Sequence, residues 1–117
     1  MFQQNKVPDI EEDLSRDEYI VKGSWVIVAF EDRWYPGYVN DLNKEGQQLT
    51  VDFMHPCSSL KDEFHWPLKK DKISIDKKFV IFVSLPPCST NGGTTYQFKG
   101  LECIKDTYQH FRKLYFS

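Results

Sequence analysis

Apolar and polar residues alternate over short segments of this chain, and the pattern predicts β-strands for most of its length. The clearest alternation runs over 48–54, where apolar residues line one face of the predicted strand. Two apolar segments precede it, at 25–30 and 34–41, and β-branched and aromatic residues in both favour strands over helices. The charged link at 31–33 is short enough for a hairpin or a tight β-arch.

Both faces of the first predicted strand are apolar. One face carries Val26, Val28 and Phe30, and the other carries Trp25, Ile27 and Ala29. A strand with one solvated face would alternate apolar and polar residues. We therefore predict that this strand is covered on both sides or bends sharply.

Further apolar segments predict additional strands. Two of them, 64–66 and 79–83, have the composition of strands. The segments 19–22 and 94–98 are compatible with short strands, and 73–75 with a strand or a single helical turn.

After Gly100 the apolar residues recur at spacings of three and four. They are Leu101, Ile104, Tyr108, Phe111 and Tyr115. This spacing places them on one face of a helix, so we predict an amphipathic helix over this segment.

Short strands joined by tight turns predict a mostly β protein with a small, five-stranded SH3-like barrel. We expect this barrel to span 19–78 and a flexible acidic lead-in to occupy 1–18. The remaining segment, 79–117, is expected to be an extension of the same domain, with its strand and amphipathic helix packed on the barrel.

Composition narrows the possible functions. A length of 117 residues favours one domain, and a formal net charge of −2 gives no overall attraction to nucleic acid. The three cysteines are widely spaced without a CxxC pair, which argues against a disulfide framework and a structural zinc site. The first residues lack the apolar core of a signal peptide, and no apolar run is long enough to span a membrane. We expect an intracellular monomer that does not act on membranes.

Motifs for catalysis are missing from the sequence. It contains no Gly-rich phosphate loop, HExxH or GxSxG. Cys57 could act with His55 or His65 as a nucleophilic pair, or all three could bind a metal, but their spacing matches no known site. We expect a protein that is not an enzyme, with no catalytic residues, metal or cofactor.

Lysines are frequent in the segment 61–78, where acidic residues nearly balance them. A solvated turn region is the simpler interpretation. Binding of DNA or RNA remains an alternative, and its phosphate contacts would come from Lys61, Lys69, Lys70 and Lys72.

The strand ends offer a different kind of site. In an SH3-like barrel the ends of neighbouring strands meet at one rim, and here these ends are aromatic: Phe30, Tyr35, Phe53 and Phe64. Aromatic faces set at right angles bind a methylated lysine or arginine by cation–π attraction and by burying its methyl groups. The alternative is that these aromatics belong to the core.

The segments Gly23–Val39 and Leu49–Phe53 resemble a Tudor domain. The shared pattern is a glycine, a valine-rich strand that ends in an aromatic residue, a short acidic link, Tyr-Pro-Gly, and a strand that ends in an aromatic residue. Tudor domains of the survival motor neuron and Polycomb-like proteins look similar. The resemblance covers about 20–76, or roughly half of the chain.

The resemblance implies an aromatic cage made by Phe30, Tyr35, Phe53 and Phe64. The first link is one residue shorter than usual, which makes Trp34 a rival to Tyr35. Asp62 or Asp52 would supply the carboxylate at the rim.

The function that the resemblance implies is that of a non-catalytic, protein-binding methyl-lysine or methyl-arginine reader. Its partner would be a methylated peptide, on a histone tail or another nuclear protein, which implies a role in chromatin. A scaffold with an incomplete cage is an alternative. A groove for proline-rich peptides beside Trp66 and Pro67 is a weaker one.

Overall fold

The computed structural model describes residues 20–57, 62–90 and 93–116. The protein is mostly β, with antiparallel sheets and one C-terminal helix. The predicted lead-in at 1–18 and Lys61 lie outside the described residues. The described part of the segment 19–22 enters a turn rather than a strand, because the Ser24 amide donates to the Val21 carbonyl at 3.0 Å.

Within the described residues, nine strands and one α-helix follow one another. The strands are β1 (Trp25–Ala29), β2 (Trp34–Leu42), β3 (Gln48–Phe53), β4 (His55–Pro56), β5 (Phe64–His65), β6 (Lys72–Asp76), β7 (Val80–Ser84), β8 (Cys88–Thr90) and β9 (Thr95–Gln97). A 3₁₀ turn, Lys77–Phe79, joins β6 to β7, and the helix is α1 (Leu101–Tyr115).

The larger sheet contains five strands in the order β6-β3-β2-β1-β7. Each neighbouring pair is antiparallel. The segment 73–75 is therefore a strand rather than a helical turn. Strand β7 pairs with β1, so the sheet continues past residue 78 into the predicted extension.

The smaller sheet has four short strands in the order β4-β5-β9-β8. It contains the segment predicted as a strand at 64–66, since β5 pairs with β4 and β9 rather than with the larger sheet. The strand predicted at 94–98 is β9, which pairs with β5 and β8.

Two hydrophobic cores lie on the opposite faces of β1. Val26 and Val28 belong to the first core, whose buried members come mostly from strands of the larger sheet. Ile27 and Ala29 belong to the second, between this sheet, the smaller sheet and α1. The prediction that β1 is covered on both sides is confirmed, because all four side chains are buried.

The predicted helix is confirmed as α1, although Tyr115, which was placed on its apolar face, is 66 % exposed. Gly100 caps its N-terminus at a φ of 76°, a left-handed conformation that suits glycine. Ile104 and Tyr108 are buried in the second core, and the Tyr108 hydroxyl donates to the Phe30 carbonyl at 2.7 Å. This bond ties the helix to the residue that follows β1. Within the described ranges, no helix has the length and apolar content needed to cross a membrane.

Candidate functional site

Three aromatic residues from the ends of three adjacent strands meet at one place. Phe30 directly follows β1, Tyr35 is the second residue of β2, and Phe53 is the last residue of β3. Val28 lies opposite Tyr35 in the sheet, so Phe30, two residues after Val28, is directed to the same face. The strand pairing therefore brings the three side chains together.

Gly37 makes room for the third ring. It lies opposite Phe53 in the pairing of β2 with β3. A Cβ atom at this position would overlap the Val51 side chain and stand 3.2 Å from Cδ1 of Phe53. Glycine thus lets the Phe53 ring lie directly against β2.

The Phe30 ring is nearly perpendicular to each of the other two rings. The Phe30 and Tyr35 centroids are 5.3 Å apart with an interplanar angle of 81°, and those of Phe30 and Phe53 are 5.5 Å apart with an angle of 73°. Phe53 is 2 % exposed and forms the floor, whereas Phe30 and Tyr35 are half-buried walls. Together they line an open concave site of about 550 Å³, which we call the cage.

A histidine lies beside these rings. The His55 ring centroid is 6.4 Å from that of Tyr35, and its Nε2 is 2.7 Å from Oδ2 of Asp71. The sequence offered His55 only as a partner of Cys57 in a nucleophilic pair or a metal site, and not as a residue of the cage. The sequence spacing could have indicated its position, because residues two apart on a strand point to the same face. His55 follows Phe53 by two positions, and both line the cage.

Two carboxylates give the cage a negative character. Asp32, in the link between β1 and β2, accepts a hydrogen bond from the Tyr35 hydroxyl at 2.9 Å, and Asp71 lies on the other side. Burial is the main cause that raises the pKa of Tyr35, and the hydrogen bond to Asp32 adds to it. Among the described residues that line the cage, none is lysine or arginine.

Arg33 occupies the space behind the Tyr35 wall. Its guanidinium carbon is 5.4 Å from the Tyr35 ring centroid and 5.6 Å from that of Phe64. Its Nε also donates to the Trp34 carbonyl at 2.7 Å. The guanidinium group thus lies between the cage and the second core.

The structure does not bring Phe64 or Trp34 into the cage. Phe64 is fully buried and Trp34 is 6 % exposed, and their rings lie 5.3 Å apart in the second core. The pairing of β5 with β9 places Phe64 there, and its ring centroid is 5.9 Å from that of Phe98. Trp34 and Tyr35 are consecutive on one strand and point to opposite faces, so only Tyr35 reaches the cage.

The rim acids suggested by the resemblance also lie elsewhere. Asp62 approaches Lys105 of α1, with Oδ1 3.3 Å from Nζ. Asp52 accepts a hydrogen bond from Asn40 Nδ2 at 2.7 Å. Neither lines the cage, where Asp32 and Asp71 supply the carboxylates.

The structure describes three of the four lysines that were proposed for phosphate contacts. Lys69 and Lys70 are exposed in the link between β5 and β6, and Lys72 is exposed on β6. Lys61 lies outside the described residues, and a role in nucleic-acid binding stays a prediction.

Cys57 does not join a recognisable reactive group. The described cysteines are free thiols. In the part of the chain that the structure describes, no three histidine, cysteine or acidic side chains are grouped so that they could hold a metal ion.

Comparisons of the chain with known protein families, with curated proteins and with solved structures found no match. The geometry of the cage and the chemistry of its side chains are therefore the basis for a functional assignment.

Proposed function

We propose that this protein is a non-catalytic reader of methylated lysine or arginine, and that the cage receives the methylated side chain. Its partner is a peptide segment of a histone tail or another nuclear protein. The observation that carries the proposal is the meeting of three aromatic rings, with Phe30 nearly perpendicular to the other two, and two carboxylates in one open site.

A barrel of the SH3-like, Tudor type fits this function. The two edge strands of the larger sheet, β6 and β7, are joined by only three residues, Lys77–Phe79. So short a link keeps the two edges near each other, as in a sheet that curls towards closure. The order of the strands thus supports a small bent barrel with the cage at its rim.

The chemistry of the ligand follows from the walls. A methylated ammonium or guanidinium group keeps its charge but is less hydrated, so aromatic faces attract it and bury its methyl groups. Asp32 and Asp71 add attraction for a cation, and a carboxylate can accept a hydrogen bond from an N–H that methylation has left in place. Lysine without methyl groups would lose more hydration on entry and would gain less contact.

The expected affinity is modest. Contacts of a cation with aromatic rings contribute about 0.5–2 kcal/mol each, depending on how well water is excluded. Two or three such contacts give about 1–6 kcal/mol, which corresponds to dissociation constants between roughly 0.04 and 200 mM for the side chain alone. Contacts of the peptide residues on either side of the methylated residue would have to supply the remaining binding free energy.

Tyr35→Ala tests the proposal, because it removes a half-buried wall of the cage that packs against the first core without being one of its buried members. Calorimetric titrations would use one peptide with its central residue as unmodified, mono-, di- or trimethylated lysine, or as dimethylated arginine. We expect binding that depends on methylation in the wild type and falls by about two- to thirtyfold in Tyr35→Ala.

Tyr115→Ala is the matched control, since Tyr115 is 66 % exposed and does not line the cage. Its affinity should equal that of the wild type. Equal binding of methylated and unmodified peptides by the wild-type protein would exclude methyl reading and would favour a scaffold role.

A further inference from the structure

A second concave surface adjoins the cage. It has a volume of about 350 Å³ and lies between the end of β1, the edge of β6 and the C-terminal end of α1. Its walls are mainly apolar and include Ile75, Phe79 and Phe116. Phe30 lines both this apolar groove and the cage, so the two sites share one wall.

Strand β6 runs past both sites. Ile73 lines the cage, and Ile75, two residues further on, lines the apolar groove. These two side chains point to the same face of β6 and stand about 7 Å apart. A strand laid beside β6 could therefore place two of its own side chains, also two residues apart, into the two sites.

The outer edge of β6 has backbone groups available for such a strand. Among the described strands, β6 pairs only with β3 and ends the larger sheet. The Phe53 amide donates to the Asp71 carbonyl at 2.9 Å, so the backbone groups of Asp71 point towards β3. Backbone groups alternate in direction along a strand. The amides and carbonyls of Ile73 and Ile75 therefore also point towards β3, and those of Lys72 and Ser74 point away from it.

Charge indicates the kind of peptide that would bind there. Asp32 and Asp71 line the cage, and Glu31 and Asp76 line the apolar groove. No lysine or arginine is found among the described residues that line either site. The two sites together thus complement an extended peptide with net positive charge.

We infer that the protein binds an extended, basic peptide as an additional strand along the edge of β6. The methylated side chain enters the cage, and an apolar side chain two residues away enters the apolar groove. Backbone hydrogen bonds to Lys72 and Ser74 hold the peptide in register. This inference rests on the proposed function and adds a sequence requirement to it.

A set of peptides tests the requirement without changing the protein. Each is basic and contains one dimethylated lysine, and a single leucine replaces serine two residues away, on either side. The control peptides carry the leucine one residue away, where an extended chain directs it to the opposite face. We expect one of the two-residue spacings to bind about tenfold more tightly than its control.

Protein variants separate the two sites. Phe116→Ala should remove the advantage of leucine while leaving the preference for the methylated peptide. Tyr35→Ala should remove the preference for methylation. Methylation of the peptide backbone amide that faces Ser74 should weaken binding to the wild type, because it blocks a strand hydrogen bond.

The outcomes are distinguishable. Binding that depends on methylation but not on the position of leucine or on Phe116 would overturn the inference and leave methyl reading in place. Binding without any dependence on methylation would overturn the proposed function and the inference together.

Discussion

At the scale of single residues, Tyr35 has two separate roles. Its ring is a wall of the cage, nearly perpendicular to Phe30. Its hydroxyl donates to Asp32 and so holds the acidic link between β1 and β2 against that wall. Burial, followed by this hydrogen bond, raises its pKa above the usual 10.0, so the folded protein favours the neutral phenol.

Alkaline pH should therefore destabilise the protein through Tyr35. With a pKa raised by folding, the stabilisation from this group is complete below pH 10.0 and is lost as the pH rises through the folded-state value. The free energy of unfolding, measured in urea between about pH 8 and about pH 11, should fall more steeply in the wild type than in Tyr35→Phe.

Tyr108 also has a pKa raised by burial, but it is present in both proteins and cancels in this comparison. Equal slopes in the wild type and in Tyr35→Phe would show that the folded environment of Tyr35 does not favour the neutral phenol. Tyr35→Phe should still bind the methylated peptide, since the aromatic face remains.

At the scale of elements, α1 supports the site from behind. The helix buries Ile104 and Tyr108 in the second core, and the Tyr108 hydroxyl bonds to the Phe30 carbonyl. Phe30 follows the last residue of β1, and its amide donates to the Arg33 carbonyl at 2.9 Å. The helix thus helps to fix the wall that the cage and the apolar groove share.

Ile104→Ala should lower the free energy of unfolding by about 2–5 kcal/mol, because it opens a cavity in the second core. Gln109→Ala is the control on the same helix, since Gln109 is exposed, and it should change stability by no more than about 0.5 kcal/mol. Chemical denaturation of both variants gives the comparison. A small, equal effect of the two substitutions would mean that α1 is not an integral part of the fold.

At the scale of the whole molecule, local patterns predicted more than long-range pairings did. The period of two in β3 and the three-to-four spacing of α1 are properties of neighbouring residues, so the sequence alone revealed both elements. The burial of β1 on two sides also followed from its composition.

The position of Phe64 depended on a partner far away in the sequence. Its strand, β5, pairs with β9 about thirty residues later, and no local pattern identifies that pairing. This is why Phe64 lies in the second core rather than in the cage. The resemblance implied four aromatic cage residues, and three of them meet. These three lie on or next to strands connected by hairpins, where short turns fix the register.

The most direct test of methyl reading is to find where the methyl groups lie. A lysine peptide with ¹³C-labelled N-methyl groups, bound to the unlabelled protein, gives intermolecular nuclear Overhauser effects in isotope-filtered spectra. We predict contacts from the methyl groups to the ring protons of Phe30 and Tyr35. Contacts to other aromatic rings such as Trp66, or a bound peptide without contacts from its methyl groups to any ring, would contradict the assignment of the cage.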